Sequence, residues 1–148
     1  MGDPDRLEDV RAILEETRTV AILGAHPTTW RAAFYVPQYL HSMGYRVLPC
    51  NPRFGSKGTV LWGERVLPSV DAIEEPVDLV DVFRASDKVP EHLDEILAMK
   101  PLPRVVWLQQ GIRNDAFAET LRDHGITVVQ DRCTLADHRS LGLGRVSR

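Results

Sequence analysis

The chain has 148 residues, a formal charge of −3 and ordinary apolar and charged fractions, which fits one compact domain rather than two. That balance argues against broad nucleic-acid binding, and no apolar run approaches the roughly 20 residues needed to span a bilayer. Two cysteines, Cys50 and Cys133, form neither a metal spacing nor a disulfide framework, so a reduced, cytoplasmic protein is expected.

The opening "MGDPDRLEDVRAILEE" is acidic and amphipathic, unlike a signal peptide. Asp3-Pro4 reads as a cap with proline in the first turn, and Leu7, Val10, Ile13 and Leu14 recur at helical spacing. An opening helix is therefore expected over 4–17. "TVAIL", 19–23, reads as a buried strand that runs into Gly24. A helix pattern follows over 32–43, closed by Gly44, with Pro37 either kinking it or near its start. "RVLPCNP", 46–52, reads as a short strand and turn. The polar, glycine-rich stretch after it reads as a loop with a short extension.

"VDLVDVF", 77–83, is a near-continuous apolar strand. Ser86 or Asp87 can cap a helix through about Met99. "RVVWLQ", 104–109, is the next strand. Asn114 caps a helix to about His124, and "ITVVQD", 126–131, is the last strand. "TLADHRSLG" reads as a short final helix, and residues 142–148 as a loose tail.

No repeat or linker divides this pattern, so residues 1–148 read as a single domain. Strands alternating with helices, several of them apolar throughout, predict a parallel sheet covered on both faces. The expected class is α/β, an open, doubly wound parallel sheet of about five strands in three layers. Ligands in such sheets lie beyond the carboxyl ends of the strands. The strand exits are therefore the candidate site.

At the first exit, Gly24, Ala25, His26, Pro27, Thr28, Thr29 and Trp30 lead toward a helix. Unpaired N–H groups at a helix start bind phosphate readily. Thr28 and Thr29 can cap the helix or offer hydroxyls to a phosphate, and Arg31 adds charge. Trp30 can pack over a base or in the core. The glycine repeat of a dinucleotide site is missing.

At the second exit, an NAD site would want a carboxylate for the ribose hydroxyl. "CNPRFGSKG" has no acid from Cys50 to Lys57. Arg53 and Lys57 stand there instead, as partners for a phosphorylated ribose or as solvated surface cations. At the third exit, Phe83 can form an apolar wall or simply pack, and Arg84 can contact phosphate. Ala85 follows. Gln109, Gln110 and Gly111 at the fourth exit can orient a polar ligand but are poor acid–base catalysts.

No nucleophile–base pair follows from residue order. His26 reads more readily as a hydrogen-bonding loop residue than as a catalyst. His41, His92, His124 and His138 are scattered, mostly on polar helix faces, without metal spacing. No catalytic or metal residue is assigned.

Together, "VAILGAHP", "YVPQYLHSMGYRVLPCNPR", "PVDLVDVFR", "VVWLQQGI" and "VVQDRC" resemble the small stand-alone CoA-binding domain proteins. These are similar to the N-terminal CoA-binding domain of the succinyl-CoA synthetase alpha subunit. The resemblance covers roughly residues 19–141. It implies a Rossmann-like fold with CoA across the strand exits, Gly24–Trp30 around the pyrophosphate and Arg53 and Lys57 near the nucleotide phosphates. It places Phe83–Ala85 and Gln109–Gly111 along the rest of the crevice. Synthetase activity is not implied, since there is no room for that enzyme's second domain.

The leading expectation is a non-catalytic module for CoA or acyl-CoA, with no metal. The alternatives are a small NADP-dependent reductase, a CoA-dependent acyl transferase using His26 or Cys133, and a ligand-sensing regulatory module. A homo-oligomer or a protein partner stays open, because burial cannot be read from sequence.

Overall fold

A computed structural model of the chain describes residues 6–147. The helix cap expected at Asp3-Pro4 lies outside the described residues. The opening helix, α1, runs Leu7–Glu16 and buries Val10 and Leu14. Strand β1 is Thr19–Leu23, followed by α2, Ala32–Ser42, and strand β2, Arg46–Cys50. A short helix α3, Pro52–Gly55, and a hairpin of β3, Val60–Leu61, and β4, Glu64–Arg65, come next. Strand β5 is Leu79–Val82, and helix α4 is Leu93–Leu97. Strand β6, Val105–Leu108, helix α5, Asp115–Asp123, strand β7, Thr127–Val129, and helix α6, Thr134–Ser140, complete the order.

The main sheet has five parallel strands in the order β2-β1-β5-β6-β7. Side chains alternate between its faces, as strand geometry requires. Ala21, Leu23, Val80, Val82, Val106 and Leu108 face one core with Ile96, Phe117 and Leu121 of α4 and α5. Val20, Ile22, Leu79 and Trp107 face the other with Val10, Leu14 and Leu40 of α1 and α2. The expected three-layer, Rossmann-like α/β architecture is what the structure shows. From β1 the chain turns to β2 on one side, and only later reaches β5 on the other. The gap between the exits of β1 and β5 is therefore the switch point where such sheets bind ligands.

Three expected elements differ. The helix expected from Ser86 or Asp87 to Met99 is a 3₁₀ turn, Val89–His92, leading into α4. Pro90 is the reason: it has no N–H for the carbonyl of Ser86, four residues back. That carbonyl accepts instead from Asn114 Nδ2 at 3.1 Å. The loop expected after Pro52 contains α3 and the β3–β4 hairpin. The tail expected to be loose packs against the core through Leu143 and Val146, and the Val146 N–H donates to the Met43 carbonyl at 2.8 Å.

Pro37 lies inside α2 and acts like Pro90. It cannot bond the Ala33 carbonyl, which accepts from the His26 N–H at 3.4 Å. Each proline frees a helix-side carbonyl that ties down a strand-exit segment.

Candidate functional site

Gly24 ends β1 with φ +93°, a conformation that side chains rarely adopt. Its N–H and that of Ala25 both donate to the Cys50 carbonyl, at 2.9 and 3.1 Å. Asn51 Nδ2 donates to the Ala25 carbonyl at 2.9 Å. The exits of β1 and β2 are thus sewn together. The His26 ring meets Phe54 edge-on at 5.1 Å, and its Nδ1 accepts the Thr28 N–H at 3.1 Å. Burial, then the charges of Arg31 and Arg53, lower the His26 pKa. A neutral ring is what an accepting Nδ1 requires.

This corrects the expected phosphate cradle. The N–H groups of Gly24, Ala25, His26 and Thr28 are engaged within the protein. Thr28 and Thr29 cap nothing: α2 starts later, at Ala32, with Arg31 in the cap position and no side-chain cap. The open first turn of α2, Ala32 and Ala33, lies farther along the crevice.

Two neighbouring chambers open at the switch point. The first, about 390 Å³, is lined by Gly24, His26, Arg31, Asn51, Arg53 and Arg84, among others. The second, about 520 Å³, is lined by Ala33, Val36, Phe83, Ala85, Gln109 and Cys133, among others. Arg31, Phe83 and Arg84 line both. Their sizes are those of small-molecule sites, roughly 300–1,000 Å³.

Of the residues expected at the site, Gly24, His26, Arg53, Phe83 and Arg84 meet in the first chamber. Phe83, Arg84, Ala85, Gln109 and Gln110 meet in the second. Ala25 is buried behind the first loop. Pro27, Thr28, Trp30, Lys57 and Gly111 line neither chamber, and Thr29 lines a separate groove on α2. Trp30 is 77% exposed rather than packed in the core. Lys57 and Arg53 flank the Phe54 ring, at 5.6 and 5.3 Å from its centre. Gly111 instead shapes its loop: φ is +85°, and its N–H donates to Asp131 Oδ1 at 2.6 Å.

Ser69, His92 and Glu95 also line the first chamber, and sequence reading missed them there. Arg84 Nε donates to His92 Nε2 at 3.2 Å, and His92 Nδ1 pairs with Glu95 Oε1. Glu95 Oε2 accepts the Val70 N–H at 3.0 Å. His92 accepts from Arg84, so its own proton is on Nδ1, facing Glu95. This chain holds Arg84 at the chamber wall.

The arrangement is suited to anion capture. Three guanidinium groups, Arg31, Arg53 and Arg84, line the first chamber. The Cys50 thiol is buried and pushed up to about 12, mainly by desolvation, so it is no thiolate. Among the described residues, no cluster of three His, Cys, Asp or Glu could hold a metal ion, and no helix is long and apolar enough to cross a membrane.

Several known proteins resemble this chain. The family described as "CoA binding domain" matches residues 18–139. A solved structure from Thermus thermophilus is 46% identical, with a TM-score of 0.86, covering 92% of this chain and 98% of that one. A hypothetical protein from Pyrococcus horikoshii OT3 is 29% identical, with a TM-score of 0.84, over 95% of this chain and 96% of its own. The uncharacterized protein YneT of Bacillus subtilis is 29% identical over 93% of this chain and 97% of its own.

Proposed function

The chain belongs to the CoA binding domain family, and from that premise we propose that it is a non-catalytic module holding CoA or acyl-CoA across the strand exits. The observation that carries this reading is the set of Arg31, Arg53 and Arg84 around one chamber at the switch point. Guanidinium groups bind phosphate with several charge-assisted hydrogen bonds. The ribose phosphate sits toward Arg53. The pyrophosphate lies near Arg31 and Arg84, where the first turn of α2 adds its N–H groups. The pantetheine arm follows Phe83 and Ala85 into the second chamber.

The donor set fits the cofactor. The segment leaving β2, residues 50–57, carries no carboxylate of its own where an unmodified NAD ribose would need one. The non-catalytic reading draws on His26, whose Nδ1 accepts the Thr28 N–H and is not free to take a proton as a base, and on the buried, protonated Cys50.

Titration calorimetry with CoA, 3′-dephospho-CoA, NADP and NAD tests the proposal. The expected order places CoA well ahead of its dephospho form. NADP ahead of CoA would overturn it in favour of a reductase. Steady turnover of an acyl-CoA would overturn the non-catalytic part.

A further inference from the structure

Asp81 occupies the interior of β5, fully buried between Ile22 of β1 and Trp107 of β6. Burial raises its pKa well above the usual carboxylate range. Its Oδ2 lies 3.0 Å from Thr134 Oγ1, and that hydroxyl lies 3.0 Å from Gln109 Oε1. The Thr134 N–H donates to the same Gln109 oxygen at 3.1 Å.

The directions follow from valence. A backbone N–H can only donate, so the Gln109 atom facing Thr134 is its oxygen. A protonated Asp81 donates to Thr134 Oγ1, which leaves the hydroxyl hydrogen for Gln109. Among the described residues Asp81 Oδ1 has no hydrogen-bond partner, which a neutral acid tolerates better than a carboxylate does. With its oxygen doubly held, Gln109 turns its NH2 away from Thr134. Gln109 is 4% exposed and lines the second chamber. Among the described residues its Nε2 has no hydrogen-bond partner, although its oxygen has two donors.

We infer that the Asp81–Thr134–Gln109 chain is a positioning device that presents the Gln109 amide as a fixed N–H donor to a carbonyl oxygen of the ligand in the second chamber. The inference rests on the CoA reading and deepens it. The arm of an acyl-CoA offers such oxygens in its pantetheine amides and in its thioester. Val36, Phe83 and Ile112 supply apolar walls beside the donor. Gln109 is the binding residue; Thr134 and Asp81 act through it.

The test compares wild type with Gln109→Glu, which keeps an acceptor for Thr134 but removes the donor. Two donors from Thr134 favour the ionised form of the new carboxyl, and mildly alkaline buffer secures it. The probes are 3′-phosphoadenosine 5′-diphosphate, CoA, acetyl-CoA and the thioether S-ethyl-CoA. The first lacks the arm, so its affinity should be unchanged and reports an intact fold. Loss of about 3- to 10-fold is expected where the carbonyl is engaged, the worth of one net hydrogen bond. An equal loss for CoA, acetyl-CoA and S-ethyl-CoA assigns a pantetheine amide; a loss confined to acetyl-CoA assigns the thioester. Thr134→Val should reproduce the same ligand pattern at smaller size. A loss shared by the arm-less probe, or no loss for any ligand, overturns the inference while leaving CoA binding standing. Wild type binding none of the four overturns the CoA reading, and this inference with it.

Discussion

A Cβ built on Gly24 would lie 2.4 Å from the carbonyl oxygen of Phe83. The two residues mark where β1 and β5 leave the sheet, so the crevice opens where their backbones lie in close contact. Gly24→Ala adds this clash to a strained φ of +93°. The expected cost is about 1–3 kcal/mol of stability, with weaker CoA binding as β1 and β5 are pushed apart. Urea unfolding and calorimetry measure both; an unchanged unfolding midpoint would refute the close approach.

Arg53→Ala should weaken CoA by about 1–3 kcal/mol, the range of charge-assisted hydrogen bonds. Added salt should narrow the gap between variant and wild type, because the lost term is partly ionic. Equal affinities at low salt would remove Arg53 from the binding set.

Stability should depend on pH through Asp81. Its folded pKa is raised, so the folded state binds a proton that the unfolded state releases above about pH 3.9. The contribution is full below that value and is lost as pH rises toward the folded pKa. Asp81→Asn cannot titrate. Its stability relative to wild type should therefore be poorest in acid and improve as pH rises. A constant difference across that range would show that Asp81 does not titrate differently on folding.

Pro37→Ala restores a helix N–H that competes with His26 for the Ala33 carbonyl. Proline inside a helix costs up to about 3 kcal/mol, so the variant should be more stable. Its first loop loses a tie, so CoA affinity should fall. Thermal unfolding and calorimetry should move in opposite directions. Affinity that holds steady while stability rises would show that the His26 tie is dispensable.

The two thiols should differ in reactivity. Cys50 is buried with its pKa near 12, while Cys133 is half-buried at the second chamber. Ellman's reagent should label Cys133 in the native protein and Cys50 only after unfolding. Bound CoA should slow the labelling of Cys133; unaltered labelling would argue that the arm lies elsewhere.

The sheet was legible because its strands are short apolar runs buried on both faces, and Asn114 caps α5 as its position suggests, accepting the Phe117 N–H at 3.0 Å. The ends of β1, β2, β5 and β6 pointed to the crevice for the same reason. The residues that escaped reading arrive through tertiary connections. Ser69 comes from the long β2–β5 crossover, and His92 and Glu95 come from a segment that Pro90 turns toward Arg84. No local spacing announces such a meeting. Thr28 and Thr29 misled because good cap residues preceded a helix that begins at Ala32. His138 looked like a surface residue but is fully buried, bonded through Nδ1 to the Tyr39 hydroxyl at 2.7 Å.

Gly44 has no room for a Cβ, because the Val146 carbonyl oxygen would lie 2.4 Å from it. That contact sits at the rim where β2 begins, a full sheet depth from the chambers. A surface anchor or fluorophore coupled to a side chain of this rim, such as Arg145 beside Arg18 and Tyr45, would therefore leave from the side opposite the ligand mouth. Immobilised that way, the molecule keeps its mouth toward the bulk, which makes this rim the natural handle for building a cofactor biosensor.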